Sequence, residues 1–132
     1  MIYFISGHRN LSKEEFELYY EPVIDNTAVN DPDPEFVVGD CDGVDKFAMD
    51  YIYNNLRCSL TIYHMFNSPR NTPEGMEMED AEVDDVYFVG GFTSDEERDS
   101  AMTKASDFDI AFVKDNRWDS GTAQNIKRRH GI

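Results

Sequence analysis

Short apolar segments alternate with segments of helical spacing along this chain, and this alternation restricts its fold more than any other feature. The apolar segments are IYFIS at 2–6, FVVG at 36–39, LTIYHM at 60–65 and DIAFV at 109–113. Strands that are buried on both faces of a parallel sheet read as such continuous apolar runs, because helices cover both faces. The order therefore predicts an α/β protein whose open, mainly parallel sheet has four to five strands flanked by helices. We expect the first strand to be internal.

Helix start signals and apolar spacing predict the helices between these strands. Ser12 and Ser94 each have a glutamate three residues later, which forms a capping box, and the two helices should end near Tyr20 and Ser106. In the segment GVDKFAMDYIYNN, which begins at Gly43, apolar residues recur at helical spacing and form one face. A last helix follows the Gly-Thr pair near the end of the sequence.

Two segments lack these patterns and predict irregular structure. DNTAVNDPDP at 25–34 is rich in turn-forming residues, so we expect a loop after a helix that ends near Pro22. The segment of about 66–91 contains prolines and a dense acidic run. It predicts an exposed acidic insertion in a single domain that spans 1–132. Within it, VYFV at 86–89 is a candidate strand without an obvious partner.

The composition restricts the function. A formal net charge of −15 over 132 residues argues against a generic nucleic-acid binder, which needs basic residues to contact phosphates. The acidic residues either form a solvated surface or bind a basic protein partner. The chain has no apolar run of membrane-spanning length, and no basic segment precedes the apolar MIYFI. We therefore expect a soluble, cytoplasmic protein without membrane contact, whose Cys41 and Cys58 are free thiols.

Glycines follow three of the predicted strands and begin the next helices. These loops are GHRN at 7–10, GDCDGVD at 39–45 and DSGT at 119–122. In open parallel sheets, ligands bind beyond the carboxyl ends of the strands, where such loops meet. Glycine lets a ligand approach the backbone, and free N–H groups at a helix N-terminus favour anions. We therefore expect a ligand site at this edge, with the N–H groups of Gly121 to Ala123 facing it.

Four motifs occur in an order that resembles a known group of proteins. The motifs are GHRN, VVGDCDGVDKFA, ERDSAMTKASDFDIAFV and SGTAQNI. They are similar to those of the SLOG superfamily, which includes the lonely-guy cytokinin-nucleotide hydrolases, molybdenum-cofactor carrier-like proteins and DNA-processing protein A. The similarity is greatest to its small bacterial and phage members, and it covers the chain except for about 25–34 and 66–91. The resemblance implies a Rossmann-like fold that binds a nucleotide or a nucleotide-derived ligand.

The resemblance and the loop positions together identify candidate ligand-binding residues. Carried over from the family pattern are Gly7, Arg9, Gly39, Gly43, Asp45, Arg98 and the Ser120-Gly121-Thr122 turn. The other candidates lie in the same loops or in the last helix, and they are His8, Asp40 and Asn125. Asn125 stands where the hydrolases of the family have a glutamate that takes part in cleaving an N-glycosidic bond. An amide cannot act as a carboxylate base, so the catalytic residues stay unknown.

Charged candidates also have purely structural interpretations. Arg9 either contacts a phosphate or ribose or pairs with a surface acid. Arg98 lies in the segment DEERD, where ion pairs with acids one helical turn away are expected. Asp45 lies in the first turn of a helix, where a carboxylate stabilises the dipole, and its functional alternative is to accept a ribose hydroxyl.

Three functions follow from these patterns. The first is binding of a nucleotide-like small molecule. The second is a hydrolase or transferase that acts at an N-glycosidic bond of a nucleotide, with Asp40, Asp42 or Asp45 in place of the missing glutamate. The third is an acidic interaction protein that binds a basic partner or mimics DNA. A magnesium ion could accompany a phosphate ligand, although the histidines are scattered and predict no metal set, and the sequence does not decide whether the chain forms a homo-oligomer.

Overall fold

The computed structural model describes residues 1–114 and 117–131, which form an α/β fold. Its strands are β1 (Ile2–Ser6), β2 (Glu35–Val38), β3 (Ser59–Met65), β4 (Val86–Phe92) and β5 (Phe108–Ala111). Its helices are α1 (Lys13–Tyr19), α2 (Glu21–Asn30), α3 (Val44–Tyr51), α4 (Asp95–Ala105) and α5 (Gly121–His130). A π-helical turn (Ile52–Leu56) extends α3, and a 3-10 turn (Met78–Asp80) precedes β4. No helix in this part of the chain is long and apolar enough to cross a bilayer.

All neighbouring strands in the sheet are parallel, and their order is β4-β3-β2-β1-β5. The predicted open, parallel, Rossmann-like sheet flanked by helices is confirmed, and β1 is internal as expected. From β1 the chain adds β2, β3 and β4 in one direction, and it then places β5 on the other side of β1. The strand order therefore reverses between β1 and β5. Such a switch point opens a crevice beyond the carboxyl ends of the strands.

Alternation of side chains along β1 distributes its residues between the two faces of the sheet. Ile5 belongs to the large core, which includes buried residues of α1, α2 and α3. Phe4 belongs instead to a smaller core with Val37 of β2 and Met102 of α4. Ser6 follows Phe4 by two residues, so it lies on the α4 face at the carboxyl end of β1. This register brings a polar side chain to the crevice.

Two helices, rather than a helix and a loop, connect β1 to β2. The capping box at Ser12 is confirmed, because its Oγ accepts the Glu15 N–H at 3.1 Å and Glu15 Oε1 accepts the Ser12 N–H at 3.1 Å. The predicted loop over 25–34 is wrong, because α2 continues to Asn30. A proline breaks a helix interior but fits its first turn, and Pro22 lies in the first turn of α2. The proline therefore begins the second helix.

The acidic insertion is shorter and less exposed than the sequence predicts. β4 continues through both glycines to Phe92 and pairs with β3 at the edge of the sheet, so the end of the segment 66–91 belongs to the fold. Met76 and Ala81 are buried in the large core, whereas most of the charged residues around them are exposed. Single apolar residues among acids carry no periodicity, and their burial depends on how the segment packs.

Candidate functional site

A cleft of about 510 Å³ lies beside β1 at the carboxyl edge of the sheet. Residues of the loops after β1 and β2, the first turn of α5 and the first turns of α4 line it. The cleft is thus located at the switch point between β1 and β5, where open α/β sheets bind ligands. The topology of the sheet therefore brings together loops that are far apart in the sequence.

Most of the candidate residues from the sequence share this cleft. Those that line it are Gly7, His8, Arg9, Gly39, Asp45, Arg98, Ser120, Gly121, Thr122 and Asn125. Asp40 and Gly43 do not line it, because Asp40 is fully buried between two arginines and Gly43 packs against the backbone of Arg9. Ligand binding by the lining residues stays a prediction.

The glycines of the first two loops serve internal packing, which differs from the expected approach of a ligand. A Cβ on Gly7 would overlap the Tyr20 hydroxyl, and a Cβ on Gly39 would lie 2.6 Å from Asp45 Oδ2. Gly121 differs, because open space surrounds the position of its missing Cβ. A ligand therefore has room beside the backbone at Gly121, whereas protein atoms already occupy that space at Gly7 and Gly39.

Gly43 is a position where the backbone itself requires glycine. Its φ is +77°, and a Cβ would overlap the backbone of Arg9. We expect Gly43→Ala to lower the free energy of unfolding by about 1–3 kcal/mol, as measured by urea denaturation. Gly75→Ala is the matched control, because Gly75 has a φ of +80° and no atom within 4 Å of the added Cβ. An equal loss in both variants would show that the contact with Arg9 contributes nothing.

Arg98 is buried at the base of the cleft and is surrounded by carboxylates. Its Nη1 donates to Asp40 Oδ1 at 2.9 Å, and its Nε and Nη2 donate to Asp99 Oδ1 at 3.1 and 2.9 Å. Asp95, one turn earlier in α4, lies 3.3 Å from Nη1. These residues and Asp45 form what we call the Arg98 cluster. Each guanidinium nitrogen thus has a protein partner. The expected ion pair with an acid one helical turn away is present with Asp95, whereas Asp99 is the next residue and Asp40 is distant in the sequence.

A residue of the segment after β3 completes the burial of Asp40. Arg70 donates from its backbone N–H to Asp40 Oδ2 at 2.7 Å and from Nη2 to Oδ1 at 2.8 Å. Burial alone would raise the pKa of Asp40, but the hydrogen bonds and charge of Arg70, together with the charge of Arg98, hold that pKa below its ordinary value. Asp40 therefore stays ionised near neutral pH, and it fixes the segment after β3 to the loop after β2.

Asp45 is the carboxyl group of the cluster that forms no ion pair with a described arginine. Its Oδ2 accepts the Cys41 N–H at 3.1 Å, and the residue lines the cleft although it is only 7% exposed. Burial raises the pKa of Asp45 to about 7; Arg98 opposes this rise, and the charges of Asp99 and Asp40 add to it. The neutral carboxylic acid form of Asp45 is therefore favoured far more at neutral pH than for an exposed aspartate.

The N-terminus of α5 offers two uncommitted amides to the cleft. Ser120 is its N-cap, and the Ser120 Oγ accepts the Ala123 N–H at 3.2 Å. The expectation that Ala123 presents its N–H to a ligand is therefore wrong. Within the described residues, no hydrogen bond uses the N–H of Gly121 or Thr122. Both amides lie at the positive end of the helix dipole, which favours an anion.

Ser6 adds an unpaired hydroxyl to the same cleft. The residue is only 5% exposed and lines the cleft, and its Oγ has no hydrogen-bond partner among the described residues. A buried hydroxyl without a hydrogen-bond partner destabilises the protein, and a hydrogen bond to a ligand would remove this cost. Ser6 is not among the candidates from the sequence, because it reads as the last residue of an apolar strand. Its polar character two positions after Phe4 was the available signal.

Two arginines lie at the rim of the cleft. Arg9 forms an ion pair with Asp95 at 2.8 Å, and the two side chains are 58% and 42% exposed. Arg9 therefore pairs with a surface acid, as its structural interpretation predicts. Breaking such an exposed ion pair costs little free energy. Arg117 donates to Asn10 Oδ1 at 3.4 Å and forms no ion pair with a described residue. Arg117 stands in no motif, so it is not among the candidates from the sequence.

His8 and Asn125 connect the walls of the cleft. The Nε2 of His8 accepts the Lys114 N–H at 2.8 Å, which ties the loop after β1 to the chain after β5. Asn125 donates from Nδ2 to Asp99 Oδ2 at 3.3 Å, and its Oδ1 accepts from Arg128 at 2.7 Å. Both the nitrogen and the oxygen of the Asn125 amide are therefore hydrogen-bonded within the protein. The amide holds α5 against Asp99 of α4.

The carboxylates at the cleft do not fit a magnesium ion. Asp95 and Asp99 are each ion-paired with arginines. Over residues 1–114 and 117–131, no group of three or more His, Cys, Asp or Glu side chains is arranged to hold a metal ion. A magnesium ion would require oxygen ligands that these ion pairs already use.

Comparison with known proteins identifies no relative of this chain. No protein-family model, no curated protein and no solved structure matches it. Inference about its function therefore rests on the residues and the geometry of the cleft.

Proposed function

We propose that the cleft binds a nucleotide or a nucleotide-derived small molecule. The observation that carries this proposal is the position of the cleft at the switch point of an open parallel sheet. Its volume of about 510 Å³ lies in the range of small-molecule sites, which is roughly 300–1,000 Å³. The motif order that resembles the SLOG superfamily supports the same class of ligand.

A phosphate of such a ligand would bind at the N-terminus of α5. The amides of Gly121 and Thr122 supply two donors, and the helix dipole favours negative charge there. Ser6, which also lines the cleft, has a buried hydroxyl without a hydrogen-bond partner among the described residues. Arg117 adds a positive charge at the rim that no described carboxylate neutralises. These groups together favour an anion over a neutral ligand.

Other residues of the lining concern the uncharged part of a nucleotide. Phe4 and Met102 are the apolar ones, and each residue is only 1% exposed. Asp99 Oδ1 already accepts from Arg98, whereas its Oδ2, which accepts from Asn125 at 3.3 Å, can accept a further hydrogen bond from a ribose hydroxyl. The cleft therefore offers hydrogen-bond donors to a phosphate and an acceptor to a ribose hydroxyl, which supports a nucleotide as its ligand.

The two other functions stay predictions. For cleavage of an N-glycosidic bond, the structure separates the three candidate acids. Asp40 is closed off by Arg70, Asp42 is exposed outside the cleft lining, and Asp45 lines the cleft. For an acidic interaction protein, the exposed acids of the insertion supply the surface. No contact in the described part of the chain selects a basic partner.

Substitution of Gly121 by proline tests the site most directly. Gly121 is the first residue of α5, where proline is favoured, and the extended Ser120 before it (φ −71°, ψ 164°) suits a following proline. Gly121→Pro thus removes one N–H while the helix is kept. We expect it to weaken nucleotide binding about 10- to 150-fold, which corresponds to the loss of one hydrogen bond to a charged group, about 1.5–3 kcal/mol.

Gly121→Ala is the matched control, because it keeps the N–H and its Cβ meets no atom within 4 Å. A thermal-shift screen of nucleotides and sugar nucleotides selects the ligand, and isothermal titration then compares the three proteins. Binding at a concentration near 100 times Kd should add about 2.7 kcal/mol of stability. If no nucleotide shifts the melting temperature, the proposed function is wrong. If both variants bind as tightly as the parent protein, the ligand does not use the amide of Gly121.

A further inference from the structure

The Arg98 cluster contains four carboxyl groups, and Arg98 forms ion pairs with three of them. Arg98 lies within 3.3 Å of carboxylate oxygens of Asp40, Asp95 and Asp99. No ion pair among the described residues includes Asp45. Asp40 also pairs with Arg70, and Asp95 with Arg9 and Arg70. Three of the carboxylates therefore have at least one arginine partner, and the fourth, Asp45, has none among the described residues.

One of the two carboxyl oxygens of Asp45 has no hydrogen-bond donor among the described residues. Oδ2 accepts the Cys41 N–H at 3.1 Å, and no described group donates to Oδ1. The side chain lines the cleft that also contains the α5 amides and the unpaired Ser6 hydroxyl. A carboxyl group in this position either carries a proton or places a negative charge in a site built from hydrogen-bond donors.

We propose that Asp45 determines which charge the cleft accepts, because its neutral acid form admits an anion at the α5 N-terminus and its ionised form repels that anion. Anion binding and proton uptake by Asp45 are then coupled. The inference rests on the proposed function, since it concerns the same cleft and names the anionic group of the ligand. A second support for the anion is Ser6, whose buried and unpaired hydroxyl lines the same site.

Other titratable groups around Asp45 do not account for a change near neutral pH. Burial raises the pKa values of Cys41 and of Tyr20, and the hydrogen bonds and charges of the arginines lower the pKa of Asp40 despite its burial. Arg98 and Asp99 of α4 pair with each other, and Arg9 of the β1 loop pairs with Asp95. His8 is the remaining neighbour in the cleft, and its Nε2 accepts the Lys114 N–H. His8 therefore needs its own control variant.

The experiment uses two anions of fixed charge, sulfate and ADP-ribose, at about pH 6 and about pH 8.5. Binding is followed through the NMR amide shifts of Gly121 and Thr122. In the parent protein, both affinities should fall at least about tenfold between the two pH values, because the competent neutral form becomes a minor population. In Asp45→Asn, which stays neutral, they should change less than about twofold. His8→Gln, which keeps an acceptor for Lys114, should retain the pH dependence of the parent protein.

The two probes separate the inference from the proposed function. A pH-dependent response to sulfate without any binding of ADP-ribose would support the role of Asp45 and contradict nucleotide binding. Equal ADP-ribose affinity at both pH values would overturn the role of Asp45 and leave nucleotide binding intact. The role of Asp45 is also overturned if Asp45→Asn keeps the pH dependence or if His8→Gln loses it. If neither anion binds at either pH, both proposals are wrong.

Discussion

Replacing Asp40 with alanine should lower the free energy of unfolding by about 3–5 kcal/mol, the largest loss that we expect from a single substitution. The change removes a fully buried carboxylate that is the nearest partner of Arg98 Nη1, at 2.9 Å, and the Arg98 side chain is itself only 5% exposed. It also releases the two donors of Arg70 that hold the segment after β3. Urea denaturation at neutral pH measures this loss.

Asp42→Ala is the matched control for Asp40→Ala. Asp42 lies two residues away in the same loop and is exposed, so its removal should cost less than about 1 kcal/mol. A loss below about 1 kcal/mol in Asp40→Ala would mean that the buried ion pair does not hold the cleft together.

Replacing Asp45 with asparagine should raise the free energy of unfolding at pH 8, whereas Asp40→Ala lowers it. The folded protein holds the pKa of Asp45 at about 7, whereas an unfolded aspartate has a pKa near 3.9. Between these values the folded state binds one more proton than the unfolded state, so stability falls as pH rises through this window. Above pH 7 the ionised Asp45 costs about 2–4 kcal/mol, and Asp45→Asn removes that cost.

The difference in unfolding free energy between the parent protein and Asp45→Asn should depend on pH if the ionisation of Asp45 causes it. At about pH 4, Asp45 is neutral in the folded protein, and the two proteins should differ by less than about 1 kcal/mol. Asp42→Asn, an exposed change in the same loop, should show no such dependence. Urea denaturation at both pH values gives the comparison. A constant difference between the parent protein and Asp45→Asn would show that Asp45 does not titrate in this window.

A carboxyl group that destabilises the protein at neutral pH suits a functional role. Stability is commonly lost where a site must hold a group ready for a ligand, and perturbed pKa values cluster at such sites. Asp45 and the unpaired Ser6 hydroxyl both lie in the same cleft, and each is unfavourable in the protein by itself. A bound ligand would reduce the cost of the unpaired Ser6 hydroxyl, whereas a bound anion would favour the protonated form of Asp45.

Local signals in the sequence determined the elements of this fold. Continuous apolar runs predicted the strands of a parallel sheet, because helices cover both of its faces. The serine caps at Ser12 and Ser120 each accept a backbone N–H three residues later, as their position before a helix requires. The same reasoning failed at Pro22, because a proline that ends one helix also fits the first turn of the next.

The tertiary structure alone decided how the candidate residues are used. The sequence places Asp40, Asp42 and Asp45 in one loop without distinguishing them. Packing then closes Asp40 behind Arg70 and Arg98, leaves Asp42 exposed and turns Asp45 into the cleft. Burial and the positions of opposite charges set these differences, and both depend on residues that are distant in the chain.

The role of each glycine was equally undecided in the sequence. A glycine after a strand serves a turn, a close internal contact or a ligand, and its neighbours in space select among these. Contacts with Tyr20, Asp45 and the Arg9 backbone fill the space beside the glycines of the first two loops, and Gly121 alone among the site glycines faces open space. The sequence by itself therefore determined the sheet and the edge where its loops meet. The packing of distant side chains decided which of those loop residues remain available to a ligand.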